Sequence, residues 1–299
     1  MHVETKAVNI NTADTMVKKR RWRSDSRQLP FFPTLVLAAL VFAALFAPHL
    51  APHDPLEGDI MRKSIPPVWM ERGTWEHPLG TDRFGRDVLS RIIYGTRISL
   101  AVSLIAIGVA GTVGTTVGLI SGYRGGAIDA ILMRLTDIGL SLPTILIAVA
   151  LVAVSEPSFR NVIFVIALLL WPRFARQIRG ETLAIKEQEY VALAVVAGRS
   201  SSWIISRHIF PNVVPTLLVV CTLQVGYVIL LEGSLSFLGV GVPPPSPAWG
   251  LMIADGRGFL ATAWWISLFP GLAMLLTVLA VNLLGDWLRD RLDPKLRQL

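Results

Sequence analysis

Charged side chains are absent from six long stretches of this sequence, and the gaps divide the chain into alternating apolar and polar segments. An unpaired charge at mid-bilayer costs at least about 2.5–3.5 kcal/mol, so charge-free apolar gaps predict membrane-spanning helices. The first four lie between Arg27 and Asp54, Arg97 and Arg124, Asp137 and Glu156, and Arg160 and Arg173. The fifth runs from His208 to Leu231, and the sixth lies between Arg257 and Asp286. The fourth holds only 12 residues, which reach ~18 Å against a hydrocarbon core of ~30 Å, so this span must borrow its flanks. Glu156 and Arg160, four apart, are placed to pair at one end, with Arg173 and Arg176 snorkelling at the other.

The pattern predicts an all-α integral membrane protein of six transmembrane helices. Of 28 Lys and Arg residues, 19 fall on the side of the N-terminus, which by the positive-inside rule makes both termini cytoplasmic. The expected organisation is a basic cytoplasmic arm (1–30), a first transmembrane helix (31–52) and an extracytoplasmic loop with an amphipathic segment (53–97). A core of five helices (98–285) follows, interrupted by a cytoplasmic loop (173–212), and a cytoplasmic tail (286–299) ends the chain.

Composition agrees with a lipid environment: 53% of residues are hydrophobic and 16% charged, against about 25% charged in an average soluble domain. The net charge of +7 is spread over the segments between apolar runs, which sets orientation and excludes a nucleic-acid-binding face. The single cysteine, Cys221, sits in an apolar run and can build neither a disulfide framework nor a thiolate metal site. Among His2, His49, His53, His77 and His208, only His49 and His53 are four apart. Pro52 interrupts them, so no helical metal-ligand pair is expected. No GxxxxGK[ST] loop occurs, so the phosphate-cradling loop of a P-loop ATPase is missing from the sequence.

Glycine and proline mark internal breaks. Gly108, Gly111, Gly114 and Gly118 recur at three- and four-residue spacing and predict a face for close helix packing. Pro143 is expected to kink the third span. The run Val242–Pro243–Pro244–Pro245–Ser246–Pro247 ends the fifth span and opens an outer loop, near which Trp249, Trp264 and Trp265 suit an interfacial belt. Arg134 and Asp137 are expected to pair along one helix.

The 172–212 segment is rich in helix formers up to Ala197 and breaks at Gly198, where a left-handed cap ends a helix. A short amphipathic piece at Trp203–Ile204–Ile205 leads to Pro211, which suits the first turn of the next helix. On its own this is a helix, a glycine turn and a second helix at the inner membrane surface. It suits either docking of a cytoplasmic protein or an ordinary interfacial helix.

Specific sequence motifs go further. Glu189–Tyr190–Val191–Ala192–Leu193–Ala194 with Gly198 and Arg207–His208–Ile209–Phe210–Pro211–Asn212 resembles the coupling loop of ATP-binding cassette (ABC) importer permeases. The segments His77–Asp82, Gly85–Arg91, Gly122–Gly126 and Glu232–Gly239, with Pro244, Pro245, Trp249 and Gly250, resemble the permease branch for peptides, nickel and related solutes. The resemblance covers most of residues 30–295. It implies a type I importer permease in the bacterial inner membrane, paired with a second homologous permease, two cytoplasmic ATPases and an extracytoplasmic solute-binding protein. ATP and Mg would sit on the ATPases, and no cofactor on this chain. It assigns ATPase coupling to Glu189, Tyr190, Ala192, Ala194, Gly198, Arg207, His208, Pro211 and Asn212. The family's coupling glutamate is replaced by Ala192, its first alanine by Leu193 and its following arginine by Val195, while Ala194 agrees.

Pathway or gating candidates are Pro143, Glu232, Ser234, Ser236 and Phe237. Glu232 is the acidic residue in or beside a span, and either lines the pathway or pairs with Arg257. A secondary transporter would need a paired ion site at mid-membrane and a membrane hydrolase a nucleophile–base constellation; the sequence offers neither.

Overall fold

The computed structural model describes residues 29–154 and 158–292. The basic cluster of the N-terminal arm lies outside the described residues, as does Glu156, and with it the expected pairing to Arg160. Among those described, five helices are long and apolar enough to cross a membrane, and a sharply bent pair makes a sixth crossing if counted as one span. No strand forms among them, only an isolated antiparallel bridge between Thr81 and Asp87.

Helix α1 (Phe31–Leu50) lies at the periphery with Leu35, Phe42 and Leu45 exposed. Phe46 leaves helical dihedrals two residues before Pro48, whose ring crowds the preceding turn. Residues 51–87 form an irregular loop with one 3-10 turn at Ile60–Arg62. Helix α2 (Val88–Arg124) begins where the Asp87 carboxylate accepts the Ser90 N–H. At 37 residues it is ~55 Å long, far beyond the hydrocarbon thickness. Its first turns, with Arg91 and Arg97, account for the amphipathic segment expected inside the loop, and the helix starts well before the charge gap does.

Helix α5 (Phe159–Lys186) makes the most extensive contact with α2. It starts at Ser158, whose hydroxyl accepts the Asn161 N–H at 3.2 Å, and its 28 residues supply the length that the fourth charge gap lacked. A Cβ placed on Gly114 would stand 2.5 Å from the Trp171 carbonyl oxygen, and one on Gly118 2.7 Å from that of Ala175. Gly122 continues this line against Thr182, whereas Gly108 has nothing within 4 Å, so the packing face runs from 111 to 122. Phe174, fully buried, fills the space beside Gly111.

Between these helices the third span is broken. Helices α3 (Gly126–Ser141) and α4 (Thr144–Val154) meet at 89°. Leu142, directly before Pro143, is extended with ψ 138°, the conformation a following proline imposes. The expected kink is therefore a near right-angle turn.

After α5, the short helix α6 (Glu189–Val196) is followed by α7 (Ser201–Ile204), a π turn at Ile205–Ile209 and α8 (Phe210–Phe237), the last three forming one continuous run. In the π turn the Phe210 N–H reaches five residues back to the Ile205 carbonyl, a widening directly before Pro211 that makes room for its ring. Helix α9 (Trp249–Gly256) and helix α10 (Trp265–Leu292) complete the bundle. Trp249 and Trp265 are buried rather than interfacial, which corrects the expected aromatic belt. Their indole N–H groups donate to the carbonyls of Ile92 and Thr81, each at 3.1 Å, and these partners are what allow burial.

Gly118→Leu is expected to destabilise the chain by about 1–3 kcal/mol through overpacking, with Gly108→Ala within about 0.5 kcal/mol of wild type. Thermal unfolding of the two purified variants in detergent measures the difference.

Candidate docking and pathway sites

Helix α6 is built to present one face and bury the other. Val191 and Ala194 turn inward onto a cluster of Leu119, Ile178, Ile204, Ile209 and Val213. Tyr190, Leu193, Val195 and Val196 face outward, Val196 being 85% exposed. The helix ends in a Schellman arrangement: the Gly198 N–H donates to the Val195 carbonyl and the Arg199 N–H to that of Ala194. Gly198 sits at φ +71°, which a residue without Cβ adopts freely. Ser200 then caps α7 by accepting the Trp203 N–H.

The predicted coupling residues gather here. The His208 ring lies 5.0 Å from Trp203 and 5.8 Å from Tyr190, and the Asn212 amide donates to the His208 carbonyl at 2.6 Å. Glu189 and Ala192 are exposed, as are Arg207, Pro211 and Asn212; Ala194 instead belongs to the buried cluster. A cavity of about 500 Å³ lies beside them, lined by Tyr123, Arg124, Lys186, Val191, Ala192 and Val195. The outward apolar residues Leu193, Val195 and Val196 escaped the sequence reading, because a run of small apolar residues does not reveal which face has a partner.

The charged residues at this end join three helices. Arg179 forks onto Asp129 with both oxygen contacts at 2.6 Å, and Ser121 also bonds Asp129. Asp137 pairs with Arg176 of α5 and not with Arg134, which corrects the expected pair along one helix. A second cavity, about 850 Å³, lies between α5, α8 and α10 and is bordered by Arg176, Glu181, Asn212, Thr216 and Arg289.

The pathway candidates divide. Glu232 is fully buried; its Oε1 accepts the Ser236 hydroxyl at 2.6 Å, and the Ser236 oxygen accepts the Val242 N–H at 3.2 Å. The three residues thus fasten the end of α8 to the proline-rich loop. Arg257 lies over the Phe237 ring at 5.4 Å, so the alternative pairing of Glu232 with Arg257 is not made. Ser234 spends its hydroxyl on the Leu230 carbonyl, Phe237 is partly exposed, and Pro143 sits at the α3–α4 break.

At the other end of the bundle the 51–87 loop is tied down by charge. Asp82 bonds Arg86 at 2.7 Å, Arg83 bonds Asp255 of α9 at 2.8 Å, and Asp255 also lies 3.6 Å from Arg86. The expectation of no metal-ligand pair rested on helical spacing. The fold gathers His53, His77 and Asp87 from a loop, a turn and a helix cap, a grouping which that spacing does not see.

Comparison with known proteins places this architecture. The family model described as the binding-protein-dependent transport system inner membrane component matches residues 114–298. The chain is 42% identical over 264 residues to the dipeptide transport system permease protein DppC of Haemophilus influenzae, covering 88% of this chain and 89% of that protein. It is 41% identical over 278 residues to the glutathione transport system permease protein GsiD of Pectobacterium atrosepticum, covering 92% and 90%. The inward-facing methionine ABC transporter MetNI contains a chain of similar fold, with a TM-score of 0.58 at 14% identity over 68% of this chain and 96% of that one. The long apolar helices, the family match and these relatives together mean that the chain belongs to the inner membrane components of binding-protein-dependent ABC importers, as a multi-pass permease subunit.

Proposed function

We propose that this chain forms half of a translocation pathway for dipeptides or oligopeptides, with a homologous but different permease supplying the other half. Two cytoplasmic ATPases hold ATP and Mg, and closing them moves the 186–204 region to drive alternating access. An external binding protein hands the solute to the 53–95 and 240–265 segments. Both termini lie in the cytoplasm.

The observation that carries this reading is the outward face of α6. Tyr190, Leu193, Val195 and Val196 form an apolar surface on an eight-residue helix, in a segment assigned to the cytoplasm by the charge asymmetry. The resemblance of this segment to the coupling loop of importer permeases favours docking over an ordinary interfacial helix. The peptide assignment draws on the dipeptide permease named above; the glutathione permease is similar at nearly the same identity, and glutathione is itself a tripeptide, so small peptides unite the two.

Leu193→Glu with Val196→Glu is expected to leave thermal stability unchanged, because both side chains are exposed. The pair should lower ATPase co-purification and uptake of a labelled dipeptide by at least about tenfold, the scale of losing one interface anchor. Undiminished co-purification would remove α6 as the docking element.

Glu232 is assigned a gating role through its hold on the outer end of α8. Glu232→Gln keeps an acceptor for Ser236 and is expected to retain uptake within about twofold. Glu232→Ala leaves the buried hydroxyl unpaired at a cost of about 1–3 kcal/mol, and uptake should fall with it. Transport assays on the two variants in otherwise intact cells separate the hydrogen bond from the charge.

A further inference from the structure

His53, His77 and Asp87 are distant in sequence and meet where the 51–87 loop folds onto the start of α2. One donor atom from each lies within 4.8 Å of the other two. The His77 Nδ1 stands 3.0 Å from Asp87 Oδ1, and the His53 and His77 rings lie at 34° with centroids 4.6 Å apart. His77 is 4% exposed and Asp87 1%.

Two nitrogens in this cluster have no hydrogen-bond partner although they are buried: His53 Nδ1 and His77 Nε2. Each alone costs about as much as a lost hydrogen bond, and the unpaired His53 Nδ1 beside the His77–Asp87 pair points to a ligand. Asp87 and Ser90 beside them are hydrogen-bonded in other directions. Asp87 Oδ2 accepts both the N–H and the hydroxyl of Ser90, each at 2.7 Å, and the Ser90 oxygen accepts the His53 N–H at 3.0 Å. The cap of α2 therefore fixes Asp87 and the backbone of His53 without using the unpaired nitrogens.

We propose that His53, His77 and Asp87 form a binding site for a single divalent transition-metal ion. Two imidazoles and a carboxylate suit Zn²⁺ and, by the same donor chemistry, Co²⁺. Three protein ligands leave a fourth position for water. With bonds of about 2.0–2.1 Å, ligands of a tetrahedral ion stand about 3.3 Å apart. His77 Nδ1 and Asp87 Oδ1, at 3.0 Å, stand about 0.3 Å inside that spacing, which makes Nδ1 the His77 ligand atom, and the half-buried His53 closes the remainder by moving inward from its loop. The ion would clasp the end of α1's connection and the middle of the loop to the first residue before α2. This site is independent of the solute carried.

The test uses the full chain, purified in detergent with a tag free of histidine and stripped with chelator, then titrated with Co²⁺ alone. The expected result is one Co²⁺ per chain with visible absorption of a low-symmetry site, displaced by Zn²⁺, and a Tm that rises on loading. His53→Ala, at a half-buried loop position, is expected to weaken Co²⁺ binding at least about 100-fold and to abolish the Tm rise. His77→Gln should do the same, and His49→Ala should change neither. No saturable binding at one ion per chain, or one-ion binding that survives His53→Ala in a folded chain, overturns the proposal. Should His77→Gln fail to fold, the His53→Ala result decides alone.

Discussion

The close approach of α2 to α5 along Gly114, Gly118 and Gly122 is the contact on which the bundle depends. In lipid, apolar helices gain little by hiding from their surroundings, so association rests on how closely backbones meet. The missing side chains at Gly114, Gly118 and Gly122 let α5 lay the carbonyls of Trp171, Ala175 and Arg179 against α2. Because α2 is a ~55 Å rod and α5 leads within two residues into α6, this one contact joins the loop-bearing end of the molecule to the proposed docking end.

Charge is managed in the complementary way. The ion pairs sit at the two ends of the bundle: Asp129 with Arg179 and Asp137 with Arg176 at one, and Asp82 and Asp255 with Arg83 and Arg86 at the other. The long apolar middles stay free of them, as the cost of a charge in hydrocarbon requires. Glu232 departs from this rule near the end of α8, and its hydrogen bond to Ser236 brings the loop backbone at Val242 into the same network. A carboxyl kept in such a place acts as a joint between helix and loop.

The spans were legible because a charge-free gap is a direct consequence of bilayer energetics, and Gly198 and Pro143 were legible because their backbone restrictions act locally. What the sequence hid was non-local. Arg97 opens the second gap, yet α2 starts before it at Val88 and runs through Arg91 and Arg97, because the helix extends beyond the hydrocarbon, where charge costs little. Trp249 and Trp265 read as interfacial, since the sequence does not name the carbonyls of Ile92 and Thr81 that satisfy them inside. Asp137 had a neighbour three residues away and chose Arg176 across the bundle. The histidine cluster crosses 34 residues between His53 and Asp87 and follows no helical period.

The departure at Ala192 takes on meaning from its surroundings. Ala192 lines the cavity shared with Arg124 and Lys186, so a carboxylate there would face two basic side chains of its own subunit. With alanine the cavity keeps its positive border, and the exposed surface of α6 becomes almost wholly apolar, with Glu189 at its first turn as the remaining acidic group. Charge at an interface chiefly steers encounter and fixes register, while well-packed apolar anchors govern residence. In the docking proposed above, replacing the glutamate shifts recognition from charge toward fit, carried by Tyr190, Leu193, Val195 and Val196. A partner selected in that way is expected to be less interchangeable than one held by a shared ion pair.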